Sequence, residues 1–170
     1  MATNKLFNIV LTGFMGTGKT TVGKLVAKTL ERPFVDTDEA IVQRAGKPIA
    51  AIFAEDGEAV FRLFERRVCR FYAGQPGYVI ATGGGMLVEP SNLKVMQASG
   101  LVICLLASVE TIRARLADEV GVRPLFAGDW ETLLKQRETA YAAIPHHITT
   151  DNRTPEQVAE EVIALWQKSA

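Results

Sequence analysis

The segment that most constrains the fold of this chain is a glycine-rich loop, Gly13-Phe14-Met15-Gly16-Thr17-Gly18-Lys19-Thr20. It matches the phosphate-loop pattern G-x-x-x-x-G-K-[ST] and lies between an apolar run at residues 7–12 and an amphipathic stretch at residues 21–30. Glycines let the backbone wrap an anion with successive N–H groups pointing inward, and a following helix N-terminus adds about half a positive charge. The loop therefore predicts a strand, a turn and a helix that together bind the phosphates of a nucleoside triphosphate.

Two side chains of this loop have specific chemical roles in such a site. Lys19 is expected to reach the β- and γ-phosphates, and the Thr20 hydroxyl is expected to ligate Mg²⁺. A glycine-rich turn that binds nothing is the alternative, which the flanking strand and helix patterns disfavour. The residues predicted to bind ATP in this segment are Gly16, Thr17, Gly18, Lys19, Thr20 and Thr21.

Length, charge and cysteine content are typical of a compact enzyme. The 170 residues suffice for one domain with a core, and 19 basic residues balance 19 acidic ones, so nothing indicates a nucleic-acid or membrane surface. The first apolar run begins almost at once and none approaches the ~18 residues of a membrane span, which predicts a cytoplasmic protein without a signal peptide. Cys69 and Cys104 are expected to be buried thiols rather than a disulfide.

Strand and helix patterns alternate along the rest of the chain. Short apolar runs at residues 33–35, 78–81, 101–106 and 147–150 predict four further strands, with helical patterns between them. The segment Thr154-Pro155-Glu156-Gln157 is a capping box that opens the last helix, and Ser108 is predicted to cap an earlier one. In the predicted helix from Glu58 to Tyr72, the spacing places four apolar residues near one face: Phe61, Phe64, Val68 and Phe71. Five such alternations predict an α/β fold with a parallel sheet flanked by helices, and ligands at the carboxyl ends of its strands.

Acidic and glycine-rich segments follow the second and third predicted strands. Asp36 and Asp38 are two residues apart, and in an extended segment such residues point the same way, into one cleft. One carboxylate can hold Mg²⁺ while the other accepts a hydrogen bond or a proton from an acceptor hydroxyl; a solvated turn with Asp38 capping the next helix is the alternative. The run Gly83-Gly84-Gly85 favours close approach by a ligand, and no aspartate follows the third strand to act as a Walker B carboxylate.

Three arginines are further candidates, although each has an ordinary interpretation. Arg62 lies one turn after Glu58 and three residues before Glu65, which is typical of an ion pair on a solvated helix face. Arg123 lies in a loop-like stretch that could close over ATP, or it is simply an exposed loop residue. Arg137 lies on a charged helix, where spacing alone indicates a surface position.

A series of ordered motifs covers almost the whole chain: the phosphate loop, Phe34-Val35-Asp36-Thr37-Asp38, the block from Ile52 to Arg62, Thr82-Gly83-Gly84-Gly85, Val122-Arg123-Pro124-Leu125, Arg137-x-x-x-Tyr141 and Thr150-Asp151-Asn152-Arg153. In this order they resemble the shikimate kinase family. The phosphate loop alone would indicate only a nucleotide-dependent kinase. The D-T-D motif and the F-x-x-x-G-E-x-x-F-R block make the resemblance specific.

The resemblance implies transfer of the ATP γ-phosphate to the 3-hydroxyl of shikimate, a step toward aromatic amino acids. By similarity, Asp38 would bind the acceptor hydroxyls and serve as a base, and Asp36 would help Thr20 to hold Mg²⁺. Further roles implied by the resemblance are a carboxylate clamp of Arg62 and Arg137, a pocket wall of Gly83, Gly84 and Gly85, a catalytic lid arginine at Arg123 and an adenine neighbour at Arg153.

The resemblance also implies a nucleoside-monophosphate-kinase type of fold within one domain, residues 1–170, and a monomer. It has three αβα layers, a five-stranded parallel sheet, a helical substrate-binding subdomain at about residues 37–72 and a flexible lid at about residues 117–128. The chain departs from the family pattern at Ala140, where leucine is usual, which predicts looser packing near Arg137.

Two other functions remain open from the sequence. Another small-molecule kinase of the same fold, such as a gluconate or nucleotide kinase, would need neither two arginines for a carboxylate nor the D-T-D and G-G-G pair. A non-catalytic relative would be expected to have lost Lys19, Asp38 or one of the arginines, and all are present.

Overall fold

The computed structural model describes residues 7–118 and 128–169. The phosphate loop connects the first strand to the first helix, as the glycine pattern predicted. In chain order the described elements are β1 (Asn8–Thr12), α1 (Lys19–Thr29), β2 (Phe34–Asp36), α2 (Thr37–Ala45), α3 (Ile49–Ala51), a π-helix (Ile52–Asp56), α4 (Glu58–Ala73), β3 (Val79–Ala81), a 3₁₀ turn (Met86–Val88), α5 (Pro90–Ser99), β4 (Gly100–Leu106), α6 (Val109–Asp118), α7 (Trp130–Ala142), β5 (His146–Thr149) and α8 (Pro155–Lys168).

Five parallel strands form one sheet in the order β2-β3-β1-β4-β5. The central strand β1 pairs with β3 on one side and β4 on the other, with Val10 opposite both Ile80 and Val102. The connection that leaves β1 runs toward the β2 edge of the sheet, whereas the connection that leaves β4 runs toward the β5 edge. This reversal opens a crevice beyond the carboxyl ends of the strands. The phosphate loop follows β1 and therefore lies at this crevice.

Helices cover both faces of the sheet, which confirms the three-layer α/β fold. Val10, Ile80 and Cys104 point to the layer that contains α4, α5 and α7. Ile9 and Leu11, one residue out of phase, point to the layer of α1 and α8. This alternation follows from the two-residue period of a strand, and burial on both faces explains why the strands are continuously apolar.

Helix α4 differs from its predicted packing at one end. Phe61 and Val68 are buried as expected, but Phe71 is 47% exposed, and the Arg44 guanidinium carbon lies 4.4 Å from its ring centroid. Phe71 is ten residues after Phe61, so at about 100° per residue it lies roughly 80° from the buried face. The prediction that Phe71 belongs to the apolar face was therefore wrong.

Other local predictions are confirmed. Thr154 and Gln157 form the reciprocal capping box at the start of α8, and the Ser108 hydroxyl accepts a hydrogen bond from the Thr111 N–H at the start of α6. Cys69 and Cys104 are both free and buried. Within residues 7–118 and 128–169, no helix is long and apolar enough to cross a membrane.

Candidate active site

The phosphate loop has the backbone that anion binding requires. Gly18 precedes α1 with φ 95° and Gly16 has φ 75°, both in the left-handed region that favours glycine. The Phe14 carbonyl accepts hydrogen bonds from Lys19 Nζ at 2.8 Å and from the Thr17 hydroxyl at 2.7 Å. The ammonium group of Lys19 is thus held inside the loop, where the phosphates of a nucleotide would lie.

Thr20 and Asp36 come together although they are on different elements. The Thr20 hydroxyl donates to Asp36 Oδ2 at 2.7 Å, while Asp36 Oδ1 accepts from the Asp38 N–H at 3.0 Å and so caps α2. The helix begins directly after Asp36, so the prediction that Asp36 and Asp38 lie in an extended segment was wrong. Asp36 points to the phosphate loop, and it, rather than Asp38, caps the next helix.

The carboxyl ends of β2 and β3 form the neighbouring part of the site. The Thr37 hydroxyl accepts a hydrogen bond from the Gly83 N–H at 2.9 Å. A methyl group on Gly83 would overlap Asp38 Oδ1, so the carboxylate of Asp38 lies directly over the glycine run. The glycines therefore leave room first for side chains of the protein itself.

Arg62 and Arg137 converge on the same glycine run from α4 and α7. A methyl group on Gly85 would lie 2.9 Å from Arg62 Nη1 and 3.1 Å from Arg137 Nη2, and one on Gly84 would lie 3.1 Å from Arg137 Nη1. Both guanidinium groups line a cavity of about 250 Å³ together with Glu65. Two arginines that spacing alone would place on the surface are thus directed at one small cavity.

Glu65 is a site residue that sequence reasoning missed. Its side chain is only 3% exposed and binds Arg62 Nη1 at 2.6 Å, while the exposed Glu58 accepts from Arg62 Nη2 at 3.2 Å. Burial raises the pKa of Glu65, and the hydrogen bond from Arg62 offsets part of this effect. Both predicted intrahelical ion pairs exist, the one with Glu58 at the solvated surface and the one with Glu65 on the wall of the cavity.

Arg115, in the last turn of α6, is the other residue that the sequence did not single out. Its Nη1 donates to the Gly16 carbonyl at 2.9 Å and to the Thr150 hydroxyl at 3.0 Å, so it joins the phosphate loop to the segment after β5. Arg153, predicted to lie near adenine, donates hydrogen bonds to the Thr149 and Gln157 carbonyls, each at 3.1 Å. No pattern in the sequence distinguishes Arg115 from other helical arginines.

The remaining predicted features are the lid and the metal site. Arg123 and residues 119–127 of the predicted lid lie outside the described residues. Among the residues that are described, no group of three or more His, Cys, Asp or Glu side chains could hold a metal ion. The hydroxyl and carboxylate of Thr20 and Asp36 are nevertheless the hard oxygen donors that Mg²⁺ accepts, since this ion keeps several waters and uses few protein ligands.

Comparison with known proteins agrees with this geometry. A family model described as shikimate kinase matches residues 15–167. A shikimate kinase of Pelotomaculum thermopropionicum is 41% identical over 160 residues, which cover 92% of this chain and 93% of that protein. The chain belongs to the shikimate kinase family. Membership makes the protein a kinase with ATP as co-substrate, and it confirms the family predicted from the sequence motifs.

Solved structures support the same family and fold. The shikimate kinase of Acinetobacter baumannii, determined in complex with shikimate, matches with a TM-score of 0.90 and 32% identity, covering 99% of this chain and 97% of that one. A gluconokinase of Sinorhizobium meliloti matches with a TM-score of 0.64 at 15% identity, over 98% of this chain and 94% of that one. The second likeness shows a common fold alone.

Proposed function

We propose that the protein transfers the γ-phosphate of ATP to the 3-hydroxyl of shikimate, giving shikimate 3-phosphate and ADP for aromatic amino-acid biosynthesis in the cytoplasm. The observation that carries this proposal is the convergence of Arg62 and Arg137 on Gly85 at the edge of the phosphate-loop crevice. Two guanidinium groups suit a carboxylate, because each presents planar paired donors. A neutral polyol such as a sugar would offer the two guanidinium groups no negative charge.

Asp38 is proposed to orient the acceptor hydroxyl and to accept its proton. It lies over Gly83, two residues before Gly85, the position on which the arginine pair converges. The N–H groups of the glycine run are expected to line the same pocket. Phosphoryl transfer depends mainly on such positioning and on neutralising charge, so a carboxylate and a fixed clamp meet much of the requirement.

On the nucleotide side, we propose that the phosphates lie in the loop and that Lys19 moves from the Phe14 carbonyl to a phosphate oxygen. Mg²⁺, held by Thr20 and Asp36, would supply positive charge beside the phosphates. Arg115 borders this half of the site through Gly16. The lid role of Arg123, the adenine contact of Arg153, the subdomain at residues 37–72 and the monomeric state remain part of the proposal.

The test is ADP release from Mg·ATP by the purified protein with shikimate, gluconate, AMP or no acceptor. We expect strong turnover with shikimate alone. Turnover with gluconate or AMP would overturn the assignment of Arg62 and Arg137, and ATP binding without any turnover would favour a non-catalytic relative. Lys19→Ala should abolish turnover with the fold intact, and an Asp38→Asn variant with normal kcat would rule out Asp38 as the base.

A further inference from the structure

The two arginines of the clamp are held in place by different means. Arg62 has two carboxylate partners, Glu58 and Glu65. Across residues 7–118 and 128–169, no ion pair is formed by Arg137. An arginine side chain has about 2 kcal/mol of rotamer entropy, so a clamp residue without an ion pair needs another contact to fix its direction.

One such contact is the Tyr141 hydroxyl, which lies beside Arg137 and donates to the Gly84 carbonyl, and the other is the ring of Phe14. The guanidinium carbon of Arg137 lies 5.8 Å from the ring centroid, within the distance at which the negative face of an aromatic ring attracts a cation. Phe14 is 1% exposed, and its ring also contacts Trp130 at the start of α7, with centroids 6.3 Å apart and planes at 39°. The ring is therefore buried and packed against Trp130, which restricts its orientation, and burial of the ring strengthens its attraction for the cation.

The backbone of the same residue belongs to the nucleotide half of the site. The Phe14 carbonyl accepts the hydrogen bonds of Lys19 and Thr17. A methyl group on Gly84 would contact both Arg137 Nη1, at 3.1 Å, and the Gly13 carbonyl, at 3.3 Å. Phe14 is thus a single residue whose backbone shapes the phosphate loop while its side chain faces the clamp.

We propose that the aromatic face of Phe14 is a positioning element for Arg137, which directs its guanidinium toward the acceptor carboxylate. This inference rests on the proposed function and adds a second task to the phosphate loop. The loop then binds the nucleotide through its backbone and prepares the acceptor site through one side chain. Loss of the aromatic face should weaken acceptor binding, whereas ATP binding and chemistry should change little.

The first test replaces Phe14 by leucine, which keeps an apolar side chain but removes the π face. We expect the KM for shikimate to rise about three- to tenfold, with kcat and the KM for ATP within about twofold of wild type. Because leucine also changes packing, the second test inserts mono-, di- and trifluorinated phenylalanine at position 14. Fluorine withdraws charge from the ring face and alters its shape little, so the shikimate KM should rise with each added fluorine.

Phe71 provides the matched control, because Arg44 lies over its ring far from the clamp. The same fluorinated series at position 71 should leave the shikimate KM unchanged. If the enzyme phosphorylates shikimate but its shikimate KM does not change with the number of fluorines at position 14, only the proposed role of Phe14 is overturned. A rise in the KM for ATP equal to that for shikimate would also overturn it, since it would indicate general damage to the loop. A wild-type protein without shikimate turnover would refute the proposed function first, and this inference with it.

Discussion

Gly85→Ala is a sharp test of the clamp because the backbone tolerates alanine. Gly85 has φ −93° and ψ −12°, in the right-handed helical region that every residue adopts. The substitution should therefore not strain the chain, and by restricting the unfolded state it could add about 0.4–1 kcal/mol to the free energy of unfolding. The new methyl group would instead contact the guanidinium groups of Arg62 and Arg137.

The size of the effect follows from the distances. The methyl carbon would lie 2.9 Å from Arg62 Nη1 and 3.1 Å from Arg137 Nη2, whereas ordinary contact begins at 3.4 Å. Arg62 must retreat by about half an ångström and Arg137 by somewhat less. Loss of one hydrogen bond to a charged group costs about 1.5–3 kcal/mol, so kcat/KM for shikimate should fall roughly 10- to 150-fold.

Steady-state kinetics with each substrate varied in turn, together with urea unfolding, measures this prediction. Most of the loss should appear in the KM for shikimate, with the KM for ATP close to wild type and the unfolding midpoint at or slightly above the wild-type value. Gly74→Ala is the matched control: its φ of −80° is also helical, and its methyl group would find nothing closer than 3.5 Å, from the Phe71 carbonyl. A Gly85→Ala enzyme with wild-type shikimate kinetics would refute the clamp.

Three further predictions concern the metal, pH and stability. Asp36→Asn keeps an N-cap for α2 but removes the negative charge beside Thr20. The Mg²⁺ concentration for half-maximal activity should therefore rise about 10- to 100-fold, while the urea midpoint should not change. Burial raises the pKa of Cys69 to about 11 and of Cys104 to about 12, so the unfolded chain loses these protons first. The free energy of unfolding should then fall above about pH 9, by up to about 1.4 kcal/mol per pH unit for each thiol, and Cys104→Ala should flatten that slope in urea titrations at pH 7–11. Thr154→Ala removes the cap of α8 and should lower the free energy of unfolding by about 1 kcal/mol and Tm by about 2–4 °C, as measured by thermal unfolding, without changing kcat.

The sequence predicted the features that depend on contiguous residues. The phosphate loop, the five strands and the capping box at Thr154 each lie within a short segment whose spacing reflects local geometry. The order of strands beyond a parallel sheet did not follow from these patterns. Pairing in a sheet joins segments far apart in the chain, such as β1 and β4, and leaves little local trace.

The parts that were missed involve side chains that meet only in the folded protein. Glu65 looks like an ordinary helical charge, because the cavity that it lines is completed by residues far along the chain, such as Gly85 and Arg137. Arg115 contacts Gly16 across ninety-nine residues of sequence. The direction of Asp36 was misread because its segment was predicted to be extended, whereas α2 begins at Thr37, and a helix cap directs its carboxylate differently from a strand.

The strand order has an evolutionary consequence. Because β1 is at the centre of the sheet, β2 and β3 lie on one side of the phosphate loop, and β4 and β5 lie on the other. The acceptor-binding residues that follow β2 and β3 are therefore all on the first side. The stretch from α2 to α4 between β2 and β3 can therefore be exchanged or reshaped without disturbing nucleotide contacts. Arg137, which crosses from α7 to the acceptor side, is the exception. A lineage that changes its acceptor by altering only the stretch from α2 to α4 would still carry Arg137. Its new acceptor must then bind this positive charge, or Arg137 must be replaced as well.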